Sequence, residues 1–234
     1  IASGKKLAAG KMVVARRVII RYDTRALLFG GKGAQAVMAV EVLDPRVNLV
    51  RRKDGTFNVQ DLLKHPLGPP GPPFMGQVTV TNGAVIFRDF LARGTPLPAV
   101  NEFHAVNGSF DAGNQPLYTF NASGRGEANR LANAQVVGVY DARTKSVNLD
   151  INADRVSAAY STGYLGLGRS IRVHGGTLRV AAGVRVRRVG GRSRMAAAGV
   201  IGVSNGSASL SIFREPVKGI NGNIALADQR LILS

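Results

Sequence analysis

AVMAVEVLDPRVNLVRRKDGTFNVQDLLK, residues 36–64, carries two strands, a turn and a helix start in one continuous reading, and the rest of the chain is read outward from it. Apolar residues alternate through Met38, Val40 and Val42, stop at Asp44-Pro45, and resume at Val47 and Leu49 before a basic run, Arg51-Arg52-Lys53. Period two is the mark of a half-buried strand. Asp54-Gly55 forces a turn, because glycine takes positive φ at no steric cost and the Asp side chain bonds the turn backbone. Asn58, with Asp61 three residues on and Leu62-Leu63 behind it, reads as the cap of a two-turn helix ending before Pro66.

The same alternation runs through residues 11–22, where Met12, Val14, Val18, Ile20 and Tyr22 share one face and Arg17 and Arg21 the other. Residues 65–76 form a Pro/Gly-rich loop, too dense in proline for helix or ladder hydrogen bonds. Beyond it, short apolar runs are parted by turn residues about every ten positions, the pattern of a meandering sheet. Asn107-Gly108, Gly113-Asn114, Gly124–Gly126 and Asp141–Lys145 read as such breaks. Asn82-Gly83 is open between a tight hairpin and a glycine bulge within one strand. A second helix is expected over 155–167, weakened by Gly163. From there strands return, with Leu178, Val180, Ala182, Val184 and Val186 opposite Arg179, Arg185 and Arg187. The fold class is therefore all-β with one or two short helices, in a single β-rich segment, 1–234. The chain starts at Ile1 and stops on a strand-like Leu-Ile-Leu-Ser, which reads as a segment of a longer protein.

Composition bounds the chemistry. The chain has no cysteine, which excludes disulfides and thiol catalysis, and its formal charge is +17. The basic residues are spread along the chain rather than clustered, so nucleic acid is not the expected partner, although attraction to anionic lipid head groups would use the same charges. No run approaches the roughly 18 apolar residues of a membrane-spanning helix. His65, His104 and His174 lie far apart with no second ligand at metal spacing. There is no Gly-x-Ser-x-Gly elbow. Gly163, Gly166 and Gly168, and likewise Gly124 and Gly126, suit turns better than a phosphate cradle, since neither set has the required glycine order or a βα context. Asp150 and Asp154 could pair, but read more simply as a polar strand end. No catalytic, cofactor-binding or metal-binding residue is assigned.

The opening stretch resembles the signature of the AsmA-like and TamB family of envelope proteins. The resemblance rests on Asp44-Pro45-Arg46-Val47-Asn48-Leu49-Val50-Arg51, then Asp54-Gly55-x-Phe57-Asn58-x-x-Asp61-Leu62-Leu63, a proline-rich gap, and Val78-x-Val80-x-Asn82-Gly83-x-Val85-x-Phe87-x-Asp89. The specific match covers residues 36–90. Pro45, Asp54, Gly55, Asn58, Leu62, Leu63, Gly83 and Asp89 are its structural marks, with the short helix placed at the groove edge. The resemblance implies an elongated antiparallel sheet curled into an open, taco-like groove that carries phospholipid between the inner and outer membranes. It also implies anchorage in the inner membrane through a segment outside this chain, a periplasmic site (in a plastid-bearing host, the intermembrane space of the envelope), and an outer-membrane β-barrel assembly factor as a further partner. No cofactor and no catalytic residue follow from it.

A sheet must cover its apolar face, and this chain has few helices to do so. The groove-lining candidates are Val14, Val18, Ile20, Val40, Val47, Leu49, Val147, Leu149, Ile151, Leu178, Val180, Val184 and Val186. An ordinary closed β core would show the same alternation, so both readings stand at this level. The alternative function is a structural or protein-binding β platform, chaperone-like and without lipid transfer.

Overall fold

The computed structural model describes residues 12–29, 36–59, 74–91, 99–127, 130–165, 171–189, 192–227 and 230–233. They form an open mixed sheet that is not closed into a barrel, with 6% of residues helical, so helices cannot provide a second layer. The chain divides into two compact units, Ile1–Leu91 with Leu97–Gly124, and Ala92–Pro96 with Arg125–Ser234.

In the first unit the strands are β1 (Val13–Val14), β2 (Arg17–Tyr22), β3 (Val37–Leu43), β4 (Arg46–Arg51), β5 (Gln77–Asp89), β6 (Ala99–Asp111) and all but the last two residues of β7 (Leu117–Gly126), with a short helix α1 (Thr24–Phe29) after β2. β1 and β2 run antiparallel along β4 and β3 respectively. β3 and β4 lie end to end against β5, and both pair with it in parallel. The antiparallel sheet that the resemblance implies is thus mixed, with these two parallel pairs in it. The connection from Arg51 to Gln77 is long enough for a crossover, which a parallel pair requires and a hairpin does not. α1 was not foreseen among short apolar residues. Its signal is Asp23, whose Oδ1 accepts from the amides of Arg25 and Ala26 at 2.9 and 3.2 Å, as an N-cap does.

The second unit comprises β8 (Asn133–Asp141), β9 (Ser146–Ser157), α2 (Ala158–Leu165), β10 (Ile171–Val189), β11 (Arg192–Leu210), β12 (Val217–Ala227) and β13 (Arg230–Leu233). Consecutive strands pair antiparallel from β8 to β13. α2 falls inside the helix expected over 155–167, and Ser157 begins it, its Oγ accepting from the Tyr160 amide at 3.4 Å.

Both units share one device. In unit one, Asp44, Asn82 and Ala105 have φ of 48°, 54° and 49°, in neighbouring strand positions; in unit two Arg155, Gly176, Asn205 and Gly219 have φ of 50°, 110°, 51° and 69°. Each marks a bulge, and register shifts occur at the corresponding places in the β5–β6, β9–β10, β10–β11 and β11–β12 ladders. Asn82-Gly83 is therefore a bulge inside β5, and Asn107-Gly108, read as a break, lies inside β6. Asn205-Gly206 likewise sits within β11. The bulges are locked by side chains. The Asn82 amide donates to Asn107 Oδ1 at 2.9 Å while Asn107 Nδ2 donates to the Ala105 carbonyl at 2.9 Å. In unit two the Asn205 amide donates to Asn221 Oδ1 and Asn221 Nδ2 to the Gly219 carbonyl, again at 2.9 Å each. Sequence repeats with geometry: Val80-Thr81-Asn82-Gly83 matches Val203-Ser204-Asn205-Gly206, and Val106-Asn107-Gly108 matches Ile220-Asn221-Gly222. Glycine is needed at position 108, where a Cβ would stand 2.6 Å from the Asn121 carbonyl oxygen. It is needed at 176 too, where φ is 110° and a Cβ would stand 2.7 Å from Gly206 Cα.

Replacing Asn107 by Ala removes the acceptor for the Asn82 amide and the brace on Ala105. The expected cost is about 1 kcal/mol, the net value of a partly solvated hydrogen bond. Urea denaturation of Asn107→Ala checks it, and an unchanged midpoint would show that the bulge holds without its clamp.

Candidate functional site

Directly paired residues on neighbouring strands share a face, so the register shows which candidates come together. In unit one, Val18, Val42, Val80 and Gly108 form one row, and Ile20, Val40, Val78 and Phe110 the next. Across the bulges, Val13, Val47, Val85 and Phe103 form another row, and Leu49 pairs with Phe87. Val42 and Val47 are five residues apart, as are Val80 and Val85. In an unbroken strand an odd interval puts the two on opposite faces. The bulge residue between them restores them to the same side, and both sets line one cavity of about 360 Å³ with Val13, Val78, Val106, Phe110 and Ala122. That volume is at the lower end of ligand pockets.

Val14 is the exception among the first-unit candidates. It pairs with Arg46, on the face opposite to Val13 and Val47, and Val13 lines the cavity instead. Alternation read through residues 12–20 without a break assigned the wrong parity to Val14. Val18 and Ile20 keep their face but lie 51% and 44% exposed in the outer strand.

In unit two the rows are Val147–Val186–Met195, Leu149–Val184–Ala197, Ala153–Val180–Ile201–Ile224 and Val156–Leu178–Val203, with Ile151 opposite Ala182. All seven candidates of this unit thus share one face, opposite Arg179, Arg185 and Arg187. Leu178 is buried and the other six are half-buried. Half-burial distinguishes this face from a packed core. Among the described residues the buried apolar side chains are few and mostly alanine, and the largest fully buried side chains are polar, Asn58 and Asp89.

Those two polar residues hold the β4 end. Asn58 Oδ1 accepts from the Val50 amide at 2.9 Å, Asn58 Nδ2 donates to the Asn48 carbonyl at 2.7 Å, and the Asn58 amide donates to the Val50 carbonyl at 3.0 Å. Asn48 also donates its amide to the Met12 carbonyl at 2.8 Å, so Asn58 continues the β4 edge where β1 leaves it. The expected helix-cap role of Asn58 is corrected: its side chain is committed to strand groups. Leu62 and Leu63, with most of the helix expected there and residues 65–73 of the expected loop 65–76, lie outside the described residues. Asp89 pairs directly with Arg51 across β4 and β5. Its Oδ2 stands 3.5 Å from Arg51 Nη1, and its Oδ1 accepts from the Leu91 amide at 2.8 Å. Gly55 has φ of 82° and its amide donates to the Arg52 carbonyl at 3.0 Å, confirming the bend at Asp54-Gly55. Pro45 and Gly83 meet at the bulge, where a Cβ on Gly83 would stand 3.2 Å from Pro45 Cγ.

The other polar candidates do not assemble. Asp154 Oδ1 accepts from Arg179 Nε at 3.0 Å, so it is not an acid/base partner for Asp150. His104 lies 3.8 Å from Glu102, and His174 Nε2 bonds Ser209 Oγ at 2.7 Å; His65 is outside the described residues. Among the described residues no cluster of His, Asp or Glu could hold a metal, and no helix is long and apolar enough to cross a membrane. Compared with known protein families, curated proteins and solved structures, the chain matches none.

Two expectations follow for the turn that carries Asn58. Asn58→Ala removes the acceptor of the buried Val50 amide and a donor to the part-buried Asn48 carbonyl, at about 3 kcal/mol. Asn58→Asp is expected to cost more at neutral pH, because a carboxylate cannot donate to the Asn48 carbonyl and brings a buried charge. Equal midpoints for the two variants in chemical denaturation would contradict the arrangement. The second concerns pH. The Thr56 hydroxyl and amide hold the Asp54 carboxyl below its ordinary value of 3.8. The Thr144 side chain, then the Thr144 and Arg143 amides, do the same for Asp141. A depressed carboxylate pKa contributes stability that is present above the unfolded value and lost as pH falls through the folded one. Carboxyl carbon shifts followed by NMR should titrate below 3.8 for both, and Thr56→Ala should raise Asp54 alone.

Proposed function

We propose that this chain is a non-enzymatic segment of a cell-envelope protein whose apolar sheet faces carry phospholipid acyl chains between the inner and outer membranes. The observation that carries the reading is the first-unit cavity: an apolar hollow on an open sheet that no helix among the described elements covers. Each methylene moved from water onto such a face contributes about 0.8 kcal/mol, and acyl chains ask for contiguous lining rather than for directed polar contacts. The half-buried rows of unit two offer the same kind of surface. The likeness of residues 36–90 to the AsmA-like and TamB signature supports the reading, and with it a periplasmic location, an inner-membrane anchor elsewhere in the protein and an outer-membrane β-barrel assembly factor as partner.

A second reading has its own support. Among the described residues β2 pairs with β3 alone, so its outer backbone edge is open to strand addition by a protein client. In that case the chain is a protein-binding β platform without lipid transfer.

Native mass spectrometry of the chain purified from cells separates the two. Co-purified phospholipid is expected, lost in Val47→Asp, which places a charge in the cavity, and retained in Val14→Asp, which places it beside Arg46 on the other face. Absence of lipid in the wild type, or equal behaviour of the two variants, would favour the protein platform.

A further inference from the structure

On the polar face of unit two, opposite the apolar rows, the bulge column leaves a second hollow of about 360 Å³. Asp154, Arg155, Thr177, Arg179, Ser204 and Asn223 line it. Register explains the convergence. Thr177 pairs with Ser204, Arg179 with Gly202, and Gly202 with Asn223, so these positions share a face across three strands. Gly202 leaves part of the hollow open: a Cβ there would stand in it, 3.4 Å from Asn223 Oδ1 and 3.9 Å from Arg179 Cβ.

Its charge is unbalanced. Two arginines line it against one aspartate, and the Asp154 carboxylate is engaged with Arg179 Nε at 3.0 Å, a bond that leaves the terminal nitrogens of the Arg179 fork for a ligand. Arg155 makes no ion pair among the described residues. Arg155 is also the one long side chain in its column, at φ of 50°, where the neighbouring strands place Gly176, Asn205 and Gly219. Glycine or asparagine takes this conformation readily, whereas other residues hold it at a cost.

We propose that this hollow binds a phosphate group, with the guanidinium groups of Arg155 and Arg179 on its oxygens and the hydroxyls of Thr177 and Ser204 as further donors. Two planar forks and two hydroxyls supply more donors than a carboxylate ligand can accept, and phosphate matches the bidentate geometry of arginine. The site stands on the face away from the acyl-binding rows and does not rest on the lipid-carrying reading.

The test uses the full chain with two probes, inorganic phosphate and vesicles of phosphatidylglycerol set against phosphatidylcholine. Two variants accompany them. Arg155→Gly removes a donor and relieves the left-handed strain, so it should melt no lower than the wild type. Gly202→Val fills the hollow at constant charge. Each is expected to weaken binding at least tenfold. Phosphate binding lost in both variants identifies a soluble phosphate ligand; vesicle binding lost in both, with no phosphate binding, identifies a lipid headgroup. Binding that survives Gly202→Val reports only the general basic charge and overturns the proposal, as does the absence of binding to either probe. Inorganic phosphate carries no acyl chain, so the outcome with that probe is separate from the outcome of the acyl-chain reading.

Discussion

The hydrogen bond from the Asn82 amide to the Asn107 side chain, repeated between Asn205 and Asn221, stabilises the feature on which the two apolar faces depend. A β-strand presents alternate residues to opposite faces without exception unless a residue is inserted. Val42 and Val47, or Val80 and Val85, could not face the same cavity in regular strands. Each bulge supplies the inserted residue, and at Asn82 and Asn205 an Asn on the next strand accepts from the amide that the bulge withdraws from the ladder. In unit one the connection extends further: Asn82 Nδ2 donates to Asp44 Oδ1 at 2.6 Å, and Arg16 stands 3.4 Å from Asp44 Oδ2. Polar side chains thus tie the bulge positions together across the strands.

What the sheet lacks is as informative as what it has. Most apolar residues on the two faces remain half-buried, and α2, which packs against β9 and β10, is too short to shield them. Removal of apolar surface from water is worth about 25 cal/mol per Å², and here much of that gain is left unrealised within each unit. Backbone ladders and a handful of buried polar anchors carry a larger share of the cohesion than in a two-layer domain. Asn58 and Asp89 illustrate it, each fully buried and each satisfying backbone amides at strand ends.

Much of this was legible in the sequence. Alternation gave the strands, the two-faced character of β10, the bend at Asp54-Gly55 and the helix near Ala158. Most of the lining candidates follow directly from it, and the register places all seven of those in unit two on one face. Two of the failures share one physical source. Alternation followed straight through Ala15 and Arg16 ignores the break between β1 and β2 and so misplaces Val14, and Asn107-Gly108 reads as a break because Asn-Gly is so strong a turn former. The same dipeptide serves a bulge when long strands continue on both sides. The signal that could have separated the two uses is its recurrence at matched positions, Val-x-Asn-Gly in one strand and Val/Ile-Asn-Gly in its neighbour. The parallel pairing of β3 and β4 with β5 had no local signal, since it depends on where a long connection returns.

The Asn-Gly clamps also bear on how the long strands find their alignment. β10 and β11 each span 19 residues and are rich in Val, Ala and Gly, so a slip of two residues would preserve the inside-outside pattern and much of the side-chain fit. Hydrophobic patterning alone therefore leaves several alignments nearly equal in energy. The bulges remove that degeneracy, because only one offset sets Gly176 of β10 against Asn205-Gly206 of β11, and the asparagine clamp then fixes β11 against β12. The column acts as a vernier: it converts repetitive strands, which could otherwise pair with each other or with another molecule at several offsets, into a sheet with one register.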